Sequence, residues 1–125
     1  MNVLIDSSVW LEFFGAGSKF EKSKKIVFEA KKQTHITSPL VLFEVYKKIK
    51  IQKNEEAADK AVASIVDSTE IILVSQTIAL NAADISLQTG LSMADAIIKS
   101  TANLSKSKLI TLDNHFRGLD NVQII

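Results

Sequence analysis

Four carboxylates in this chain stand in apolar surroundings, where acids are unusual. Asp6 closes the run Val3-Leu4-Ile5, and Asp113 follows Leu109-Ile110-Thr111-Leu112. Glu44 is the only charge between Pro39 and Tyr46, and Asp95 lies within Ser92-Met93-Ala94-Asp95-Ala96-Ile97-Ile98. An acid that follows an apolar strand is placed at the carboxyl edge of a sheet, where open α/β proteins bind their ligands. A partly buried carboxylate must be paired, protonated or metal-bound. Each acid also has a plainer reading: Asp6 as a helix N-cap, Asp113 as a turn residue, Glu44 as a side chain reaching out to solvent, and Asp95 as half of a capping box with Ser92. Their combination argues otherwise. At an effective dielectric of ~20, two carboxylates ~5 Å apart repel by roughly 3 kcal/mol. Four that converged would need a divalent cation between them. With no cysteine in the chain and only oxygen ligands assigned, the cation would be hard, Mg²⁺ or Mn²⁺.

The elements that must position these acids alternate between short apolar runs and longer helical patterns, the signature of βαβ units and a mostly parallel sheet. The expected strands are Asn2 to Ile5, His35 to Thr37, Glu70 to Val74, Leu109 to Leu112 and Val122 to Ile125. Ser18 and Glu21 have the spacing of a capping box, opening a helix that runs to about Lys32. Pro39 suits a first helical position and starts Leu40 to Ile51, and Asn54 with Glu55 and Glu56 begins another helix to about Val66. Two more follow, Ile78 to Gln88 stopped by Gly90, and Ser92 to Leu104. The chain has 125 residues, 46% of them apolar, one proline and no internal repeat, so residues 1–125 are expected to form a single domain with an adequate core. Zero cysteines excludes disulfide frameworks, zinc fingers and thiol nucleophiles. No apolar run is long enough for a membrane span, and the N-terminus lacks the features of a secretory signal, so a soluble cytoplasmic protein is expected.

The ordered set Ile5-Asp6-Ser7-Ser8-Val9-Trp10, Phe43-Glu44-Val45-Tyr46, Met93-Ala94-Asp95-Ala96 and Thr111-Leu112-Asp113-Asn114-His115-Phe116 resembles the PIN domain, in the single-domain form of the VapC ribonuclease toxins. The resemblance implies a three-layer α/β/α fold with a central parallel sheet of four to five strands, the first and fourth side by side. It also implies that Asp6, Glu44, Asp95 and Asp113 form an acidic quartet around one or two Mg²⁺ ions, with Ser8 and Thr111 as supporting hydroxyls. The activity implied is metal-dependent hydrolysis of RNA phosphodiester bonds. The partners implied are an RNA substrate, an inhibitory antitoxin and a second copy of the chain in a homodimer. A housekeeping nuclease of the same fold, or a non-catalytic RNA- or protein-binding module, is the alternative.

The formal charge of +1 is modest for a nucleic-acid enzyme, but setting the quartet aside raises it to +5. Lysines cluster at Lys19, Lys22, Lys24 and Lys25 and again at Lys47, Lys48, Lys50 and Lys53, where they could track phosphates or simply solubilise helices. Arg117, the only arginine, lies four residues past Asp113 and is a candidate phosphate contact. His115 is read as a structural or exposed loop residue, His35 carries no functional argument, and Trp10, Phe13 and Phe14 are read as core. A phosphatase of the haloacid-dehalogenase type would need a second Asp where Ser8 stands, and a receiver domain would need an acidic pair at the first strand's end.

Overall fold

The computed structural model describes residues 2–31 and 34–125. Five parallel strands, β1 (Asn2–Ile5), β2 (His35–Thr37), β3 (Glu70–Ile71), β4 (Ser107–Thr111) and β5 (Val122–Ile124), form one sheet in the order β3-β2-β1-β4-β5. The helices are α1 (Ser7–Gly15), α2 (Phe20–Ala30), α3 (Pro39–Gln52), α4 (Glu55–Ser68), α5 (Gln76–Thr89) and α6 (Met93–Leu104). Val3 and Ile110 line a cavity with Ile26 and Ala30 of α2 on one face of the sheet. Alternation turns Leu4 and Leu109 to the other face, and both are fully buried, so the sheet is covered on both sides. No helix among the described residues is long and apolar enough to cross a membrane.

The helix starts follow local chemistry. Ser38 accepts the Leu40 amide with Pro39 in the first helical position, Asn54 accepts the Ala57 amide, and Ser75 accepts the Ile78 amide. Gly90 ends α5 at φ 77°, a left-handed conformation that glycine takes without strain.

Most element ends shift by one or two residues from the sequence expectation, and three departures have an identifiable cause. β3 stops at Ile71 instead of Val74, because β2 ends at Thr37: after the Ile72 amide reaches the Thr37 carbonyl (2.9 Å) the edge strand has no partner left, and Leu73 is exposed. β4 begins two residues early, at Ser107, because Asn2 pairs with it in register; its polar start hid the strand. The Ser18–Glu21 capping box does not form. Lys19 occupies the cap position of α2 with no side-chain cap, and its own amide is taken instead by the Glu12 carboxylate of α1 (3.3 Å). The described part of α2 ends at Ala30, and Lys32 lies outside the described residues.

β1 is the middle strand. From it the chain steps outward to β2 and β3 on one side and to β4 and β5 on the other. The order therefore reverses between β1 and β4, and such a switch point opens a crevice at the carboxyl ends of the strands. Asp6 and Asp113 emerge there, the Asp6 amide extending the ladder to the Ile110 carbonyl (2.9 Å).

Candidate active site

Asp6 is 3% exposed. It holds the N-cap position of α1, but its side chain caps nothing. Instead Oδ2 accepts hydrogen bonds from Ser8 Oγ and Thr111 Oγ1, both 2.8 Å. Each hydroxyl in turn accepts a backbone amide from the end of β4, Thr111 Oγ1 that of Asp113 (2.9 Å) and Ser8 Oγ that of Leu112 (3.0 Å). Both hydroxyl protons are thereby directed at one carboxylate oxygen, and the two strand ends are tied through side chains. Such relays polarise one another and rigidify the site.

The other carboxylates arrive on separate elements. Glu44 projects from α3, half-buried, with Oε1 accepting from Ser7 Oγ at 3.0 Å. Asp95 sits in the first turn of α6. Ser92 Oγ accepts its amide (3.4 Å), so the backbone half of the expected capping box forms and the carboxylate is left to the crevice. Asp113 follows β4 and caps the 3₁₀ turn Asn114–Phe116 through the His115 amide (2.8 Å), so its turn role and its place at the crevice coexist. His115 Nδ1 lies 3.2 Å from Asp113 Oδ1 and 4.0 Å from Asp95 Oδ2. One ligand atom each from Asp95, Asp113 and His115 falls within 4.8 Å of the others.

These groups share one electrostatic field. Burial pushes the Asp6 carboxyl above its usual range, and the Ser8 and Thr111 hydroxyls hold it back. Burial also raises Glu44; the Ser7 hydroxyl bond opposes the shift, and the charges of Asp6, Asp95 and Asp113 add to it. Asp95 is raised by burial and then by Asp6 and Asp113, while His115 works the other way. The charges of acids arriving from the ends of β1 and β4 thus disfavour ionisation of Glu44 on α3 and Asp95 on α6. The donor set fits a divalent cation of the Mg²⁺ or Mn²⁺ type, and His115 adds an imidazole nitrogen to what the sequence presented as oxygen ligands only.

A model of the PIN domain matches residues 3–122 of the chain. The chain belongs to the PIN-domain family. Solved structures similar to this PIN domain include a toxin–antitoxin complex from Klebsiella pneumoniae (27% identity, TM-score 0.79, 97% of this chain and 95% of that one). The sarcin-ricin-loop-cleaving toxin VapC20 of Mycobacterium tuberculosis has a TM-score of 0.82 at 18% identity, covering 98% of each chain. VapBC2 from Rickettsia felis, bound to a fragment of its promoter DNA, has 0.74 at 19%, covering 100% of this chain and 98% of that one. No curated protein sequence matches.

The crevice of this PIN domain widens into a groove of about 890 Å³, with Asp6, Glu44, Asp95 and Asp113 on its wall and Lys19, Lys47 and Lys48 along it. Arg117 is not among the lining residues: exposed, it donates from Nη2 to Asn114 Oδ1 at 2.7 Å. Two groups at the site, Ser7 and Glu12, had no part in the sequence argument, and a third, His115, entered it only as a structural or exposed loop residue. Ser7 fixes Glu44, and nothing in the sequence marks it off from Ser8. Glu12 folds over Gly17, where any Cβ would clash with its Oε2. His115 is exposed as expected, yet its ring reaches Asp113 because the tight turn brings side chains two residues apart together; the Asp-x-His spacing was the available signal.

Proposed function

We propose that this protein is a divalent-metal-dependent endoribonuclease and the toxin of a toxin–antitoxin pair. The observation that carries the proposal is the convergence of Asp6, Glu44, Asp95 and Asp113 at the switch point of the sheet, each of the first three raised in pKa by burial and two of them also by their neighbours' charge. VapC-like PIN domains are nucleases, and the similar solved structures include toxin–antitoxin complexes.

Asp6, Asp95 and Asp113 would hold one or two Mg²⁺ or Mn²⁺ ions, with Glu44 and His115 at the edge of the set. A bound ion of this kind lowers the pKa of a coordinated water and offsets charge on a scissile phosphate. Ser8 and Thr111 orient the Asp6 carboxylate. Glu44, fixed through Oε1 by Ser7, would keep its second oxygen for orienting a water. Lys19, Lys47 and Lys48 would hold the polyanionic strand along the groove. An antitoxin segment that covers the groove would silence it, and a homodimer is part of the same reading.

The test is cleavage of a structured and an unstructured RNA by purified protein with Mg²⁺, with Mn²⁺ and with chelator. Cleavage is expected only with metal, and Asp95→Asn or Asp113→Asn should abolish it while circular dichroism stays unchanged. Full cleavage in chelator, or by both variants, would remove the acidic cluster from the chemistry.

A further inference from the structure

We propose that Phe43, with the Lys47 ammonium over one face of its ring, is a platform on which one unstacked base of the substrate stacks; this rests on the nuclease reading above. The buried stripe of α3 is Val41, Val45 and Ile49, and Phe43 lies off it, 59% exposed. A large aromatic side chain in that position adds little to the core. It lines the groove one residue before Glu44, in the same cavity as Asp6 and Asp95. One helical turn on, Lys47 Nζ stands 5.6 Å from the Phe43 ring centroid. Lys47 and Lys48 line the same wall, and Lys19 comes from the turn between α1 and α2.

A mostly exposed ring with an ammonium over one face, bordering the acidic crevice, has the composition single-strand binders use: the other face stacks a base of any identity and the cations take the backbone. In a duplex the bases are stacked inside and cannot reach such a ring. Exposed Ile51 also lines this wall and would suit an apolar peptide. The lysines flanking Phe43 and the carboxylates that would grip a phosphate through metal favour a polyanion.

The experiment measures binding in the Asp6→Asn background, where cleavage is removed, using a short single-stranded oligoribonucleotide carrying 2-aminopurine and a hairpin duplex of the same composition. Phe43→Ala should weaken single-strand binding by roughly 10-fold or more and abolish the 2-aminopurine quench, with duplex binding unchanged, and Phe43→Trp should restore both. Lys47→Ala should lower the salt dependence of binding. Unchanged single-strand affinity in Phe43→Ala would overturn the platform and leave Phe43 as a protein-docking residue. An equal loss on strand and duplex would overturn it too. The parent protein's own nuclease assay separates the two claims: if it cleaves RNA while Phe43→Ala binds normally, only the platform fails. If it cleaves no RNA, the nuclease reading fails.

Discussion

Replacing Asp6 by asparagine should make the metal-free protein more stable. The wild-type carboxylate is almost wholly buried, and its charge raises the pKa of both Glu44 and Asp95. At an effective dielectric of ~20, like charges ~6 Å apart repel by about 3 kcal/mol per pair, and the partial exposure of the two partners halves this, to about 3 kcal/mol for both. Desolvation of the charge adds at least another ~1 kcal/mol. Against this, the two hydroxyl bonds to Oδ2 each weaken by about 1 kcal/mol when the acceptor becomes neutral. The balance is roughly 2 kcal/mol in favour of the amide, a rise in Tm of about 6–10 °C for a chain of this size. Excess Mn²⁺ should reverse the order: at 100 times Kd the wild type gains about 2.7 kcal/mol, and the variant, lacking a ligand, gains little. pH gives a second check. A carboxyl whose folded pKa is raised contributes stability that is complete below its unfolded value and lost as pH rises through the folded value. The gap between wild type and variant in chelator should therefore close as pH falls from neutrality. Thermal melts of both proteins in chelator and in Mn²⁺ decide the matter. A variant that melts below wild type in chelator, or keeps the full Mn²⁺ shift, would refute the reasoning.

Thr111→Val removes the hydroxyl that joins Asp6 Oδ2 to the Asp113 amide. It should cost about 1–3 kcal/mol in urea unfolding and move the midpoint of a Mn²⁺ thermal-shift titration to higher concentration; an unmoved midpoint would deny Thr111 a part in orienting the site. His35 is buried, stacked on Trp10 at 5.7 Å, and burial lowers its pKa to about 4. The folded state keeps this ring neutral, so its contribution is whole above the unfolded pKa of about 6.5 and falls as pH drops toward 4, by about 3 kcal/mol. Denaturant midpoints of wild type and His35→Phe across that range should diverge toward acid, and parallel curves would contradict it. Gly17→Ala should displace the Glu12 carboxylate from the Lys19 amide and cost about 1 kcal/mol. In a Glu12→Ala background the same change should be neutral, and a cost that persists would place the strain elsewhere.

The sheet was legible because its central strand is apolar and its helix starts and stops are chemical: Val3-Leu4-Ile5, Pro39, Asn54 and Gly90 all act as their types dictate. Ends set by partners were not. β3 is short because β2 is, and the start of β4 depends on Asn2, a residue more than a hundred positions away. The same divide runs through the site. Asp6, Glu44, Asp95 and Asp113 stood out as charges among apolar neighbours, and Ser8 and Thr111 through the family pattern. Ser7 and Glu12 act through contacts across elements, which no local composition records, and His115 depends on the curl of a three-residue turn. Arg117 was close in sequence, but its guanidinium turns back to Asn114.

Because β4 pairs with β1 from more than a hundred residues downstream, Asp113 must be synthesised before Asp6 meets its counterpart. A nascent or truncated chain that stops short of β4 carries Asp6, Glu44 and Asp95 without Thr111 or Asp113. No fragment that lacks β4 therefore holds the four carboxylates in one crevice, so the site is a property of the closed sheet and not of any local segment.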